Sequence, residues 1–154
     1  MDLCDLINQD SVIAGLRSSS KKQVIQVLSD HAAKITGLSD RLIFDTLLQR
    51  ERLGSTGVGH GIAIPHGKFE KLDQIVGLFA KLDKPIDFEA QDNEPVDLIF
   101  LLLAPEGAGA DHLKALSRVA RTLRDPVIAE KVRASSDGIA IYSILTEAAT
   151  SNAA

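Results

Sequence analysis

A histidine set between a proline and a glycine closes the run Gly54-Ser-Thr-Gly-Val-Gly-His-Gly-Ile-Ala-Ile-Pro-His66-Gly67-Lys68, and it is the residue of this chain best placed to act as a nucleophile. Imidazole has an unperturbed pKa near 6.5, so at about pH 7 it is mostly neutral and keeps a lone pair that attacks phosphorus. Pro65 fixes its own φ and biases Ile64 toward an extended backbone, which predicts that the ring of His66 leaves the end of a strand in a defined direction. Gly67 has no Cβ, which permits unusual φ and a close approach by another molecule. Between Arg52 and Phe69 there is no Asp or Glu, although acids outnumber bases 21 to 17 over the chain, so a site here tolerates a dianion.

A phosphoryl group in flight carries negative charge on its equatorial oxygens, so a protein that moves one needs to position it and to supply donors. The sequence offers the guanidinium of Arg50, the hydroxyls of Ser55 and Thr56, backbone N–H groups around Gly67, and the imidazole of His112. No metal or cofactor is expected. His60 and His66, six residues apart on one extended strand, would stand about 20 Å apart, too far to share an ion without a sharp reversal. A nucleotide reading of the glycines also fails. Gly54 and Gly59 are spaced as in a P-loop, but His60 occupies the lysine position, and Gly57, Gly59 and Gly61 give G-x-G-x-G. His31 falls beside the apolar stripe of a predicted helix and is read as a boundary histidine.

Positioning elements follow from the patterns around these residues. Ser20 with Gln23 has the capping-box form, and Val24, Val27, Leu28, Ala32 and Ile35 keep helical spacing as far as Gly37. Ser39 caps a second predicted helix that ends at Gly54 and carries Arg50 in its last turn. Strands are predicted over 57–64, 75–81 and 96–103, the last apolar throughout and so central, with 12–16 as an edge. A third helix carries Leu113, Leu116, Ala120 and Leu123; Pro126 opens a fourth and Asp137 caps a fifth. Lys114, Arg118 and Arg121 on the third are read as an ordinary solvated face, with a basic stripe beside the site as the alternative, and 83–97 is an acidic loop and hairpin. The expected architecture is a single α/β domain over 1–150, a mixed sheet flanked by helices, with 151–154 a disordered tail.

With 154 residues and 45% hydrophobic content, the chain is long enough to enclose a core unaided. One cysteine, Cys4, excludes an internal disulfide, and the start lacks the pattern of a signal peptide, so a cytoplasmic protein is expected. The longest apolar run, Leu98 to Ala104, is too short for a membrane-spanning helix. A net charge of −4 and 4% aromatic content argue against nucleic-acid binding.

The segment Gly54 to Lys68 resembles the phosphorylation-site segment of bacterial phosphotransferase-system enzyme IIA domains of the mannitol/fructose type, and within them the nitrogen-regulatory enzyme IIA proteins. The resemblance extends through Arg50-Glu-Arg-Leu53, Asp92 to Leu98, and Asp111-His-Leu113. It implies the enzyme IIA fold, His66 as the residue phosphorylated by a histidine phosphocarrier protein, His112 as a second active-site histidine, and Arg50 as a stabiliser of phosphoryl oxygens. It implies regulatory targets such as potassium transport systems, sensor kinases or stringent-response enzymes. The family pattern has asparagine where this chain has His60. Two alternatives stand beside this reading: a binding module in which phosphotransfer is irrelevant, and a sugar-specific enzyme IIA feeding a separate enzyme IIB.

Overall fold

The computed structural model describes residues 2–153, with side chains as far as Glu147. Local signals place most of the helices. The short α1 (Leu3–Leu6) precedes strand β1 (Val12–Leu16) and was not predicted. Helix α2 (Lys21–Thr36) starts where Ser20 accepts a hydrogen bond from the Gln23 amide at 3.2 Å, and ends at Gly37, whose φ of 78° is left-handed. The side chain of Gln23 reaches one residue further back than a capping box requires, accepting from the Ser19 amide at 2.9 Å. Helix α3 (Asp40–Leu53) is capped by Ser39 and stopped by Gly54, as the sequence predicts.

The predicted strand over 57–64 is in fact a hairpin, β2 (Gly57–Gly59) and β3 (Ile62–Ala63), reversed at His60 and Gly61. Both turn residues have positive φ, 59° and 79°, the signature of a two-residue hairpin loop for which Asn-Gly is the favoured pair. After the break at Ile64-Pro65 come β4 (His66–Phe69), β5 (Val76–Ile86) and β6 (Val96–Pro105). Strand β5 runs five residues past the predicted end, with a register shift between Lys81 and Ile86 that accommodates Pro85. Helices α4 (Ala110–Arg124), α5 (Pro126–Ala134, with Pro126 in its first turn) and α6 (Gly138–Ala153) complete the chain. The backbone of α6 continues into the segment expected as a tail; Ala154 and the side chains after Glu147 lie outside the described residues.

Among the described residues the strands form one mixed sheet in the order β1-β5-β6-β3-β2, with β4 also on β6. Strand β6 is central, antiparallel to β5 and parallel to β3 and β4. Its side chains alternate between two cores: Ile99, Leu101 and Leu103 pack with α2 and α3, while Leu98, Phe100 and Leu102 pack with α1, α4, α5 and α6. The result is three layers, helices on both faces of a mixed sheet. Beyond β4 lies the gap between the two helical layers, and there the last turn of α3 and the first turn of α4 approach one another.

Candidate functional site

His66 opens strand β4; it does not end one, as the sequence suggested. Its backbone segment is fixed from below, since the Leu102 amide donates to the Pro65 carbonyl at 2.9 Å and His66 to Phe69 pair with Leu102 to Pro105. The ring is fixed as well. Its Nδ1 lies 2.8 Å from the Ile64 carbonyl, an acceptor, so Nδ1 holds the proton and Nε2 keeps the lone pair. Burial pushes the pKa of His66 below the ordinary histidine value and the nearby Arg50 guanidinium adds to this, while the Ile64 carbonyl and Glu51 oppose it. The neutral nucleophilic form is therefore favoured near neutral pH.

The first turn of α4 delivers His112 to the same place. The two rings meet edge to face with centroids 5.5 Å apart. His112 is only 6% exposed, and its Nε2 has no hydrogen-bond partner among the described residues. An unpaired buried polar atom costs about 1–3 kcal/mol in an ordinary core, and the residue that carries this one lines an open cavity. Burial, then His66 and Lys68, lower the pKa of His112 too.

Arg50, His66, Gly67, Lys68, His112 and Leu116 share an open cavity of about 720 Å³. The guanidinium of Arg50 meanwhile donates to the Gly54 carbonyl at 2.9 Å, closing the end of its own helix. Ser55 and Thr56 border a smaller adjoining cavity of about 360 Å³ with Arg50 and His66. Their hydroxyls are engaged elsewhere. Ser55 donates to the Phe88 carbonyl at 2.8 Å, and the Thr56 hydroxyl donates to Glu51. Gly67 lies in β4 without a positive φ; its value is space, because a Cβ there would sit 3.0 Å from Thr46.

Sequence reasoning missed Glu51. The stretch Arg52 to Phe69 does lack acids, but the residue just before it is buried, paired with Lys21 at 2.7 Å, and close enough to His66 to act on its charge. The reversal at His60 turns that residue back along the hairpin, with its ring exposed. Among the described residues, the side chains gathered closely enough to share a metal ion are Asp2, Cys4 and Asp5, and none of the site histidines belongs to that group. The basic stripe of α4 is real but partly engaged, since Arg118 approaches Asp2 at 3.7 Å. No helix among the described residues is long and apolar enough to cross a membrane.

A mixed sheet between two helical layers is the fold of an enzyme IIA domain, and the chain belongs to the family described as phosphoenolpyruvate-dependent sugar phosphotransferase system, EIIA 2, which it matches over residues 5–148. Within that family it is similar to nitrogen regulatory proteins. One, from Bradyrhizobium diazoefficiens, is 60% identical over 145 residues, 94% of this chain and 95% of the relative. The crystal structure of nitrogen regulatory protein IIA-Ntr from Neisseria meningitidis superposes with a TM-score of 0.89 at 34% identity, covering 94% of this chain and 99% of that one. The mannitol IIA of Escherichia coli shares the fold, with a TM-score of 0.77 at 18% identity over 90% of this chain and 98% of that one.

Proposed function

We propose that this protein is a phosphohistidine carrier that accepts a phosphoryl group on Nε2 of His66 from a histidine phosphocarrier protein and regulates its targets according to its phosphorylation state. The observation that carries the reading is the orphaned, buried Nε2 of His112 beside a histidine whose other nitrogen is already tied down. Nε2 of His66 attacks phosphorus, a new N–P bond forms, and the N–P bond of the donor breaks with its electron pair returning to the departing imidazole. The proton stays on Nδ1 of His66 and is donated in a hydrogen bond to the Ile64 carbonyl, whose dipole stabilises the positive charge that develops on the ring. The equatorial oxygens meet the His112 Nε2–H and the Arg50 fork, which exchanges the Gly54 carbonyl for a charged acceptor.

Phosphorylation adds close to two negative charges to a rim on which Leu53 and Leu113, 85% and 69% exposed, stand ready to meet a partner. The donor of nitrogen type and the targets, among them potassium transporters, sensor kinases and stringent-response enzymes, follow from the likeness to nitrogen regulatory proteins and belong to the proposal. The binding-module alternative leaned on His60, and turn geometry accounts for that residue without reference to phosphate. Incubation with phosphoenolpyruvate, enzyme I and a histidine phosphocarrier, read by intact mass, tests the proposal: one acid-labile phosphate is gained by the native protein and none by His66→Ala. Normal labelling of that variant would sink the assignment.

A further inference from the structure

Glu51 lies outside the reacting cavity, yet it is joined to the reactive ring by an unbroken series of hydrogen bonds. Its carboxylate accepts from the Thr56 amide at 3.1 and 3.2 Å and from the Thr56 hydroxyl. The carbonyl of Thr56 accepts from the Ile64 amide at 3.0 Å. The carbonyl of Ile64 accepts the Nδ1–H of His66 at 2.8 Å. The hairpin of β2 and β3 makes this possible, because it brings residue 56 back alongside residue 64. On the far side of Glu51 stands Lys21, its ammonium 2.7 Å from the carboxylate and over the ring of Phe88 at 5.0 Å, and the Phe88 carbonyl receives the Ser55 hydroxyl.

The dipeptide Ser55-Thr56 is thus held from two sides. A buried ion pair is weak evidence for stability, because desolvation offsets much of its attraction, and its retention points to a geometric task. That task is to keep the Ile64 carbonyl aimed at Nδ1. If that acceptor drifts, the proton can move to Nε2 and the nucleophile is lost.

We propose that Glu51 is a positioning residue for phosphoryl transfer: through Thr56 and Ile64 it fixes the orientation and the Nδ1–H tautomer of His66, with Lys21 as its counter-ion. This rests on the phosphocarrier reading for its rate effects, and on the resting protein alone for its tautomer. Acceptor order in such a series also strengthens each bond in it. The charged groups that act on the ring are Arg50 and Glu51, both from α3, while His66 itself and Lys68 act on His112.

The test is a set of variants, Glu51→Gln, Lys21→Met/Glu51→Gln and Thr56→Val, each first shown to be folded by circular dichroism. Nitrogen-15 shifts of the His66 ring report its tautomer and titration in the unphosphorylated protein; transfer kinetics from the phosphocarrier report kcat and KM. For Glu51→Gln we expect a mixture of tautomers, a titration of His66 moved further down because the anion is gone, and a kcat about tenfold lower at unchanged KM. Thr56→Val should show the same pattern more weakly. Where the single Glu51 variant does not fold, the double variant, which leaves no unpaired buried charge, gives the answer. Native tautomer, titration and kcat in a folded variant would overturn the inference. Failure of the native protein to accept phosphate would instead overturn the carrier reading, while the ring shifts still decide the role of Glu51.

Discussion

Two histidines six residues apart in the same glycine-rich segment do opposite kinds of work. His60 is held entirely by its main chain: its amide donates to Asp92 at 3.0 Å, and its carbonyl receives Arg133 at 2.8 Å while that guanidinium also grips both oxygens of Asp97 at 2.9 Å. The Arg133 carbonyl in turn accepts from Lys81 at 2.6 Å. Gly61 leaves the space for this clamp, because a Cβ there would meet the Arg133 guanidinium at 2.5 Å. At His60 every named bond belongs to the backbone and the ring is spare. At His66 the ring itself is anchored by one nitrogen, and it meets edge to face a neighbour whose Nε2 has no partner among the described residues. The lesson is that a turn spends its histidine's backbone and spares the ring, whereas a strand start beside a second histidine fixes the ring itself.

The difference can be broken from either side. His112→Ala should slow phosphate acceptance about 100-fold, the scale for losing one preorganised donor, with the fold retained; an intact-mass time course beside a melting curve measures both. An undiminished rate would remove His112 from the reaction. Arg133→Ala, which opens the clamp at the other histidine, should cost about 2 kcal/mol in urea denaturation by stranding Asp97 and the His60 carbonyl, and leave the transfer rate alone.

The pair His66 and His112 also carries a pH signature. His66 and His112 both have pKa values depressed in the fold, so the unfolded chain binds more protons than the native one as pH falls. Their contribution to stability is present above about pH 6.5, the unfolded value, and is lost as pH falls toward their lower native values. His66→Gln should flatten that part of the pH–stability curve, and phosphate acceptance should persist below pH 6.5 until His66 is protonated. The smallest effect is expected at the turn, where His60→Asn should change stability by less than about 0.5 kcal/mol, because asparagine accepts the same positive φ. A large loss of transfer rate in that variant would erase the contrast between the two histidines.

Much of this was legible in the chain because the signals were local. Ser20, Ser39, Pro126 and Asp137 each mark a helix start within a turn of where the structure has it, and the unbroken apolar run of β6 announces a strand with cores on both faces. Pro-His-Gly marked in the same way a ring that the structure holds by one nitrogen beside a second histidine. The hairpin did not announce itself, since His-Gly is a weaker turn signal than Asn-Gly and the flanking Val58, Ile62 and Ile64 read as one continuous strand. Glu51 was illegible for a different reason. Between two arginines at a helix end it looks like a solvated charge, and only the approach of Lys21, 30 residues earlier, makes it a buried anion. The resting partners of the Ser55 and Thr56 hydroxyls, the Phe88 carbonyl and Glu51, were equally out of sight, because both lie far from simple local patterns.

The pairing of β4 along the central strand has one more consequence. A loop that carries a modification can report it by moving, but residues 66–69 are laced to 102–105 and have little freedom to move. On the carrier reading, the two states of this protein present nearly the same mould with different potentials, and a partner tells them apart by sensing a field. Salt dims fields and leaves shapes alone. Discrimination between the two states should therefore fade as ionic strength rises, even where binding itself persists.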